Sequence, residues 1–161
     1  MTFYLIIRGP LGVGKSTISK QLAKDLGAEY ISIDKILSEH DLAHSDGKCI
    51  PEKNFIKANE LVLSKVKNFL NKGIPVIFDG NFYHYESINH LIENLEGQHY
   101  VFTLDAPLDV CIARDKERGE THGAVAATAV HNLVSEVRYG QTIETENKTI
   151  NEIVAEIKKF L

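Results

Sequence analysis

At 161 residues, 43% hydrophobic and 25% charged, the chain has an ordinary globular composition and is long enough to bury a core, which reads as one domain over residues 1–161. No apolar run approaches the ~20 residues of a membrane span, and the apolar patch within Met1–Arg8 is too short for a signal peptide and lacks its basic leader and cleavage site. A net charge of −4 leaves no broad basic surface for polymer phosphates, so a small-molecule partner is expected rather than a nucleic acid, in a cytoplasmic protein whose Cys49 and Cys111 are free thiols.

In chain order, Phe3–Arg8 reads as a buried parallel strand. It runs into Gly9-Pro10-Leu11-Gly12-Val13-Gly14-Lys15-Ser16-Thr17, which meets every fixed position of G-x-x-x-x-G-K-[ST]. The chemistry explains the residue types. A polyphosphate needs several backbone N–H donors converging on it, and the small residues Gly9, Gly12 and Gly14 let the backbone approach closely. Lys15 supplies a mobile charge for the β- and γ-phosphates, and the Ser16 hydroxyl is placed to ligate Mg²⁺. The helix opening here adds its free N–H groups and positive dipole end. Nucleotide binding through a Walker A loop is therefore expected.

That helix carries Ile18, Leu22 and Leu26 and ends at Gly27. Tyr30–Ile33 is a second strand closed by Asp34, and residues 40–52, with His40, Asp41, His44, Asp46, Gly47 and Pro51, read as a polar loop. A long helix follows from about Glu52 to Asn71, stopped by Gly73 and Pro75. Pro75–Phe78 is a third strand ending at Asp79. Ile88, Leu91, Ile92 and Leu95 mark a helix, and Tyr100–Leu104 a fourth strand. Pro107 opens another helix in its first turn, ending in the charged run Arg114–Gly119, and the small-residue stretch Gly123–Val130 continues helical. The weakest strand pattern lies near Tyr139–Ile143. Thr149-x-x-Glu152 is a capping-box signature for the last helix.

Strands alternating with helices imply an α/β domain with a mostly parallel five-stranded sheet. Right-handed crossovers then bring the strand C-termini to one edge, where Gly9, Asp34 and Asp79 converge. Asn81, Phe82, Tyr83 and His84 follow on that edge as candidate contacts to a second substrate. No His pair has the spacing of a metal site on one helix.

With these residues in place, the chain resembles the P-loop kinases of the polynucleotide-kinase-like, zeta-toxin-like and adenylylsulfate-kinase-like group, and more distantly nucleoside monophosphate and shikimate kinases. The resemblance is carried by Gly9–Thr17, Ile31–Asp34, Val76–Gly80, Asp105–Cys111 leading into Arg114-x-x-x-Arg118, and Thr142–Thr145. It implies a three-layer P-loop NTPase domain with a short helical lid at about 114–131, using ATP and Mg²⁺. Gly9, Gly12, Val13, Gly14, Lys15, Ser16 and Thr17 would hold the nucleotide, and Ser16 and Asp79 the metal. Asp34 would accept the acceptor's proton, with Lys15 and Arg118 at the transferring phosphate. Arg114 would stack near the adenine, and Gly119 and Gly123 would serve as hinges. The plainer alternatives are a helix-capping Asp34, a strand-end turn at Asp79-Gly80 and a solvated charged end at Arg114–Glu120.

Departures from the resemblance bear on the acceptor. Nucleoside monophosphate kinases usually place an arginine soon after the second and third strands, where this chain reads Lys35-Ile36-Leu37 and Asn81-Phe82-Tyr83-His84; its arginines stand at 8, 114, 118 and 138. The adenylylsulfate-kinase motifs and the shikimate-kinase Gly triplet are also missing. The expectation is an ATP- and Mg²⁺-dependent phosphotransferase acting on a small-molecule hydroxyl. The alternatives are a nucleoside monophosphate kinase and a nucleotide-binding regulatory module with little turnover.

Overall fold

A computed structural model describes residues 2–44, 49–119 and 122–161. Asp46, Gly47 and Glu120, which entered the sequence reading, lie outside the described residues. The first strand, β1 (Phe3–Arg8), is the centre of a five-stranded sheet with β2 (Glu29–Ser32), β3 (Val76–Gly80), β4 (Gln98–Asp105) and β5 (Gln141–Glu144). The order across the sheet is β2-β3-β1-β4-β5, and every pairing is parallel. The connecting helices are α1 (Lys15–Leu26), α2 (Ile33–Glu39), α3 (Glu52–Asn71), α4 (Tyr85–Asn94), α5 (Leu108–Glu117), α6 (Ala124–Glu136) and α7 (Ile150–Lys158).

Strand alternation divides the core into two layers. Tyr4 and Ile6 of β1 pack with Leu37 of α2, Phe55 of α3, Ile88 of α4 and Val134 of α6. Leu5 and Ile7 face the other way, onto Ile18 and Leu22 of α1, Cys111 of α5 and Ile153 and Ile157 of α7. A central strand covered on both faces must be apolar throughout, which accounts for the unbroken run Tyr4-Leu5-Ile6-Ile7. Register sets the functional edge. Ser32 and Ile7 both stand level with Asp79, and Thr103 with Arg8, so the strands end together where the phosphate loop begins.

Three boundaries differ from the sequence reading. Asp34 does not close β2; it sits in the first turn of α2, a helix the sequence reading did not assign. Ser32 caps that helix, its hydroxyl accepting from the Lys35 N–H at 3.3 Å, so the chain turns helical one residue before the expected strand end. Pro107 is the N-cap of α5 rather than a first-turn residue. The fifth strand begins at Gln141, because Gly140 takes a left-handed φ of 69° immediately before it. The capping box at Thr149 and Glu152 is formed in full.

Candidate active site

Gly9 to Gly14 form the turn between β1 and α1. Gly12 shows why side-chain bulk is excluded: at φ 81° a Cβ would fall 2.3 Å from the carbonyl oxygen of Cys111 in α5. The loop is thus clamped from behind by α5. Gly14, at φ 101°, is the N-cap of α1, so the first N–H groups of that helix face the loop without a side-chain cap. Lys15 is buried, and its Nζ donates to the Pro10 carbonyl across the loop at 2.9 Å. Burial pulls its pKa down, opposed by the carboxylates of Asp34 and Asp79.

Asp79 is buried at the end of β3 and gathers two hydroxyls on one oxygen. Ser16 Oγ donates to Asp79 Oδ2 at 2.8 Å and Tyr30 Oη to the same atom at 2.7 Å. Burial, reinforced by the hydrogen bond to Asp79, pushes the Tyr30 pKa up to about 12, so it remains a donor. Asp79 Oδ1 is buried with no partner among the described residues. An orphaned carboxylate oxygen beside a serine hydroxyl at the mouth of a phosphate loop fits the oxygen donors Mg²⁺ requires, directly or through water. Among the described residues no cluster of three or more His, Cys, Asp or Glu could hold a metal without help, so phosphate and water oxygens would complete the shell. Tyr30 entered the sequence reading only as the start of the second strand, not as a site residue. Its position two residues before Ser32 was the only signal, and pairing of β2 with β3 was needed to interpret it.

Asp34 projects from the first turn of α2 and accepts from the Asn81 backbone N–H at 3.3 Å. Burial raises its pKa to about 6; Lys15 and the Asn81 N–H oppose the rise, and Asp79 adds to it. The carboxyl group is therefore poised to exchange a proton near neutrality. Both ends of the chemistry open on one cavity of about 820 Å³. Gly12, Gly14, Lys15 and Ser16 of the loop line it together with Asp34, Asn81, Arg118 and His122.

Of the remaining candidates, Gly9, Val13 and Thr17 lie within or just after the loop, Val13 buried and Thr17 exposed. The two arginines of the 114–118 segment part company. Arg118 caps the C-terminus of α5 and lines the cavity. Arg114 instead donates to the Val13 carbonyl at 3.3 Å and to the Thr145 hydroxyl and carbonyl at 3.0 and 3.1 Å, tying the loop to the turn after β5. The buried Asp115 carboxylate accepts from the His122 and Gly123 N–H groups at 3.0–3.3 Å and anchors the entry to α6. Within 40–52, Ala43, Cys49 and Ile50 form part of the cavity wall. No helix among the described residues is long and apolar enough to cross a membrane.

Comparison with known proteins bears on the family and the fold. Residues 5–138 match the model of a family described as an AAA domain. A putative adenylate kinase of Thermococcus gammatolerans is 27% identical over 98% of this chain and 84% of that protein. A sugar kinase from Janibacter sp. HTCC2649 superposes with a TM-score of 0.76 at 15% identity, over 99% of this chain and 94% of that one. The APS kinase of Mycobacterium tuberculosis, solved with AMPPNP and APS, superposes with a TM-score of 0.71 at 13% identity, over 98% and 96%. The shared architecture is the three-layer α/β P-loop kinase fold.

Proposed function

We propose, for a chain that belongs to the AAA domain family and is an ATP-dependent kinase, that it moves the γ-phosphoryl group of ATP onto a hydroxyl of a small molecule. The observation carrying this reading is the shared cavity, which Lys15 and Ser16 of the phosphate loop line together with Asp34. In the proposed step, the acceptor oxygen forms a bond to the γ-phosphorus as the bond to the β,γ-bridging oxygen breaks. ADP leaves, and the hydroxyl proton passes to Asp34 and on to solvent.

Backbone N–H groups of Gly9–Thr17 and the Lys15 ammonium hold the phosphates, while Arg118 reaches the transferring group and balances its developing charge. Arg114 would border the base from its anchorage on Val13 and Thr145. Ser16 and Asp79 would hold Mg²⁺ with the triphosphate, and the bound ion would supply charge neutralisation. Most of the rate enhancement then comes from positioning and electrostatics. The unpaired thiols of Cys49 and Cys111 suit a cytoplasmic setting, and the net charge of −4 suits a small molecule over a nucleic acid.

A second reading, phosphoryl transfer to a nucleoside monophosphate, is favoured by the similarity to putative adenylate kinases. One experiment separates the two: ADP release from Mg·ATP by the purified protein against alcohols, sugars, nucleosides and nucleoside monophosphates. Stimulation by a non-phosphorylated alcohol supports the hydroxyl acceptor. Stimulation confined to monophosphates replaces it. ATP binding with no stimulation by any compound would remove the kinase reading.

A further inference from the structure

We infer, resting on that kinase reading, that the acceptor is uncharged, has an apolar body, and carries a second hydrogen-bond donor beside the hydroxyl that receives the phosphoryl group. The apolar lining of the cavity includes Leu37, Ile50 and Tyr83, together with Val130 and Leu133 of α6. Among the described residues, Lys15 and Arg118 are the lysine and arginine that line it. Both have work at the triphosphate. Arg8 and Arg114 are committed to carbonyl and hydroxyl groups, Arg138 is exposed and outside the cavity, and Lys35 is exposed and paired with Glu39 at 3.6 Å. Among the described residues, a phosphate or carboxylate on the acceptor would therefore sit beside the Asp34 carboxylate with no lysine or arginine of its own, and like charges at short range are costly in a partly dry site.

Asn81 supplies the polar requirement. Its side chain is 8% exposed, lines the cavity next to Asp34, and leaves Oδ1 without a partner among the described residues. A buried amide oxygen without a donor costs free energy, and a second hydroxyl or N–H on the acceptor removes that cost. The neighbouring wall is built in advance. The Ile50 N–H donates to Tyr83 Oη at 2.8 Å, and His84 Nε2 lies 2.8 Å from the Ile50 carbonyl oxygen, which makes that nitrogen the donor. Edge contacts of the Phe55 ring with Tyr83 and His84, at centroid distances of 5.1 and 5.7 Å, brace the pair. The apolar wall is thus part of the resting fold and selects for a matching body.

The test measures kcat/KM for ADP release with three probes sharing one ring: 1-phenylethane-1,2-diol, 2-phenylethanol and mandelate, and with adenosine against AMP. The neutral member of each charged pair is expected to exceed the anionic member at least tenfold. Asn81→Ala should lower the diol at least tenfold and the mono-alcohol less than threefold, at unchanged ATP affinity and with a melting temperature no lower than that of the wild type. Asn81→Ser, which keeps an acceptor oxygen, should restore part of the diol rate. Preference for mandelate or AMP overturns the inference and leaves the kinase reading standing, as does an equal loss for both alcohols. Silence of every probe with ATP still bound overturns both.

Discussion

Arg8 Nε donates to the carbonyl oxygen of Phe82 at 3.1 Å, a bond between the last residue of β1 and the turn that leaves β3. The same guanidinium reaches the carbonyls of Val137 at 2.7 Å and Val134 at 3.3 Å and the Thr103 hydroxyl at 2.9 Å. It is fully buried with neutral partners throughout, and burial pulls its pKa down to about 10. The carbonyls at the end of α6 carry the negative end of that helix, which offsets part of the charge. Phe82 is itself held at a φ of 42°, unusual for a bulky residue. One side chain therefore ties the phosphate loop, the Asn81–Tyr83 wall and α6 together.

Arg8→Met should therefore leave several buried carbonyls without donors and cost about 3–5 kcal/mol, measured by urea unfolding. Arg8→Lys should recover less than half, because an ammonium cannot span the same set of acceptors. Full stability in the methionine variant would contradict this account.

Asp34→Asn should abolish phosphoryl transfer while preserving ATP affinity, and it should stabilise the fold. Because the folded-state pKa is raised from 3.8 to about 6, the native state binds the extra proton between those values and wild-type stability falls as pH rises through that window. The asparagine variant avoids this loss. Its advantage, about 1–2 kcal/mol after allowing for partial solvation, should be full above pH 6 and gone near pH 4. Thermal melts across that range test the sign. In the wild type, kcat/KM should fall below pH 6 with the slope of one ionisation.

Tyr30→Phe removes one of the two donors on Asp79 Oδ2. A carboxylate freed from one restraint holds the metal shell less well, so half-maximal activity should need about tenfold more Mg²⁺. ATP binding in EDTA should not change. Asp79→Asn should shift the Mg²⁺ requirement further in the same direction.

Arg118→Ala should lower kcat about 10²- to 10³-fold, the usual cost of a donor aimed at transition-state charge. ATP affinity, read by calorimetry, should change little, because the loop and Lys15 hold the nucleotide. An equal loss in affinity and turnover would make Arg118 a binding residue only.

The residues that announce themselves locally were legible in the sequence. Gly9–Thr17 is contiguous, and its chemistry depends on neighbouring backbone groups, so a motif suffices. The helix pattern of α3, the capping box at Thr149 and the unbroken apolar β1 are short-range signals of the same kind. The α2 helix escaped because its seven residues carry little periodicity and its start depends on the Ser32 cap.

What the chain order alone determined is the α/β class, the Walker A loop and the gathering of Asp34 and Asp79 at one sheet edge. Tertiary structure decided the rest: that Ser16 and Tyr30 share one oxygen of Asp79, that Arg114 braces the loop while Arg118 lines the cavity, and that Tyr83 and His84 hold Ile50 as a wall. Those contacts join residues 33 to 101 positions apart, and they exist only once parallel pairing has set the register. Local sequence pattern specifies the period of each element, whereas the hydrogen-bond partner of a buried side chain depends on which distant backbone the packed sheet brings within about 3 Å.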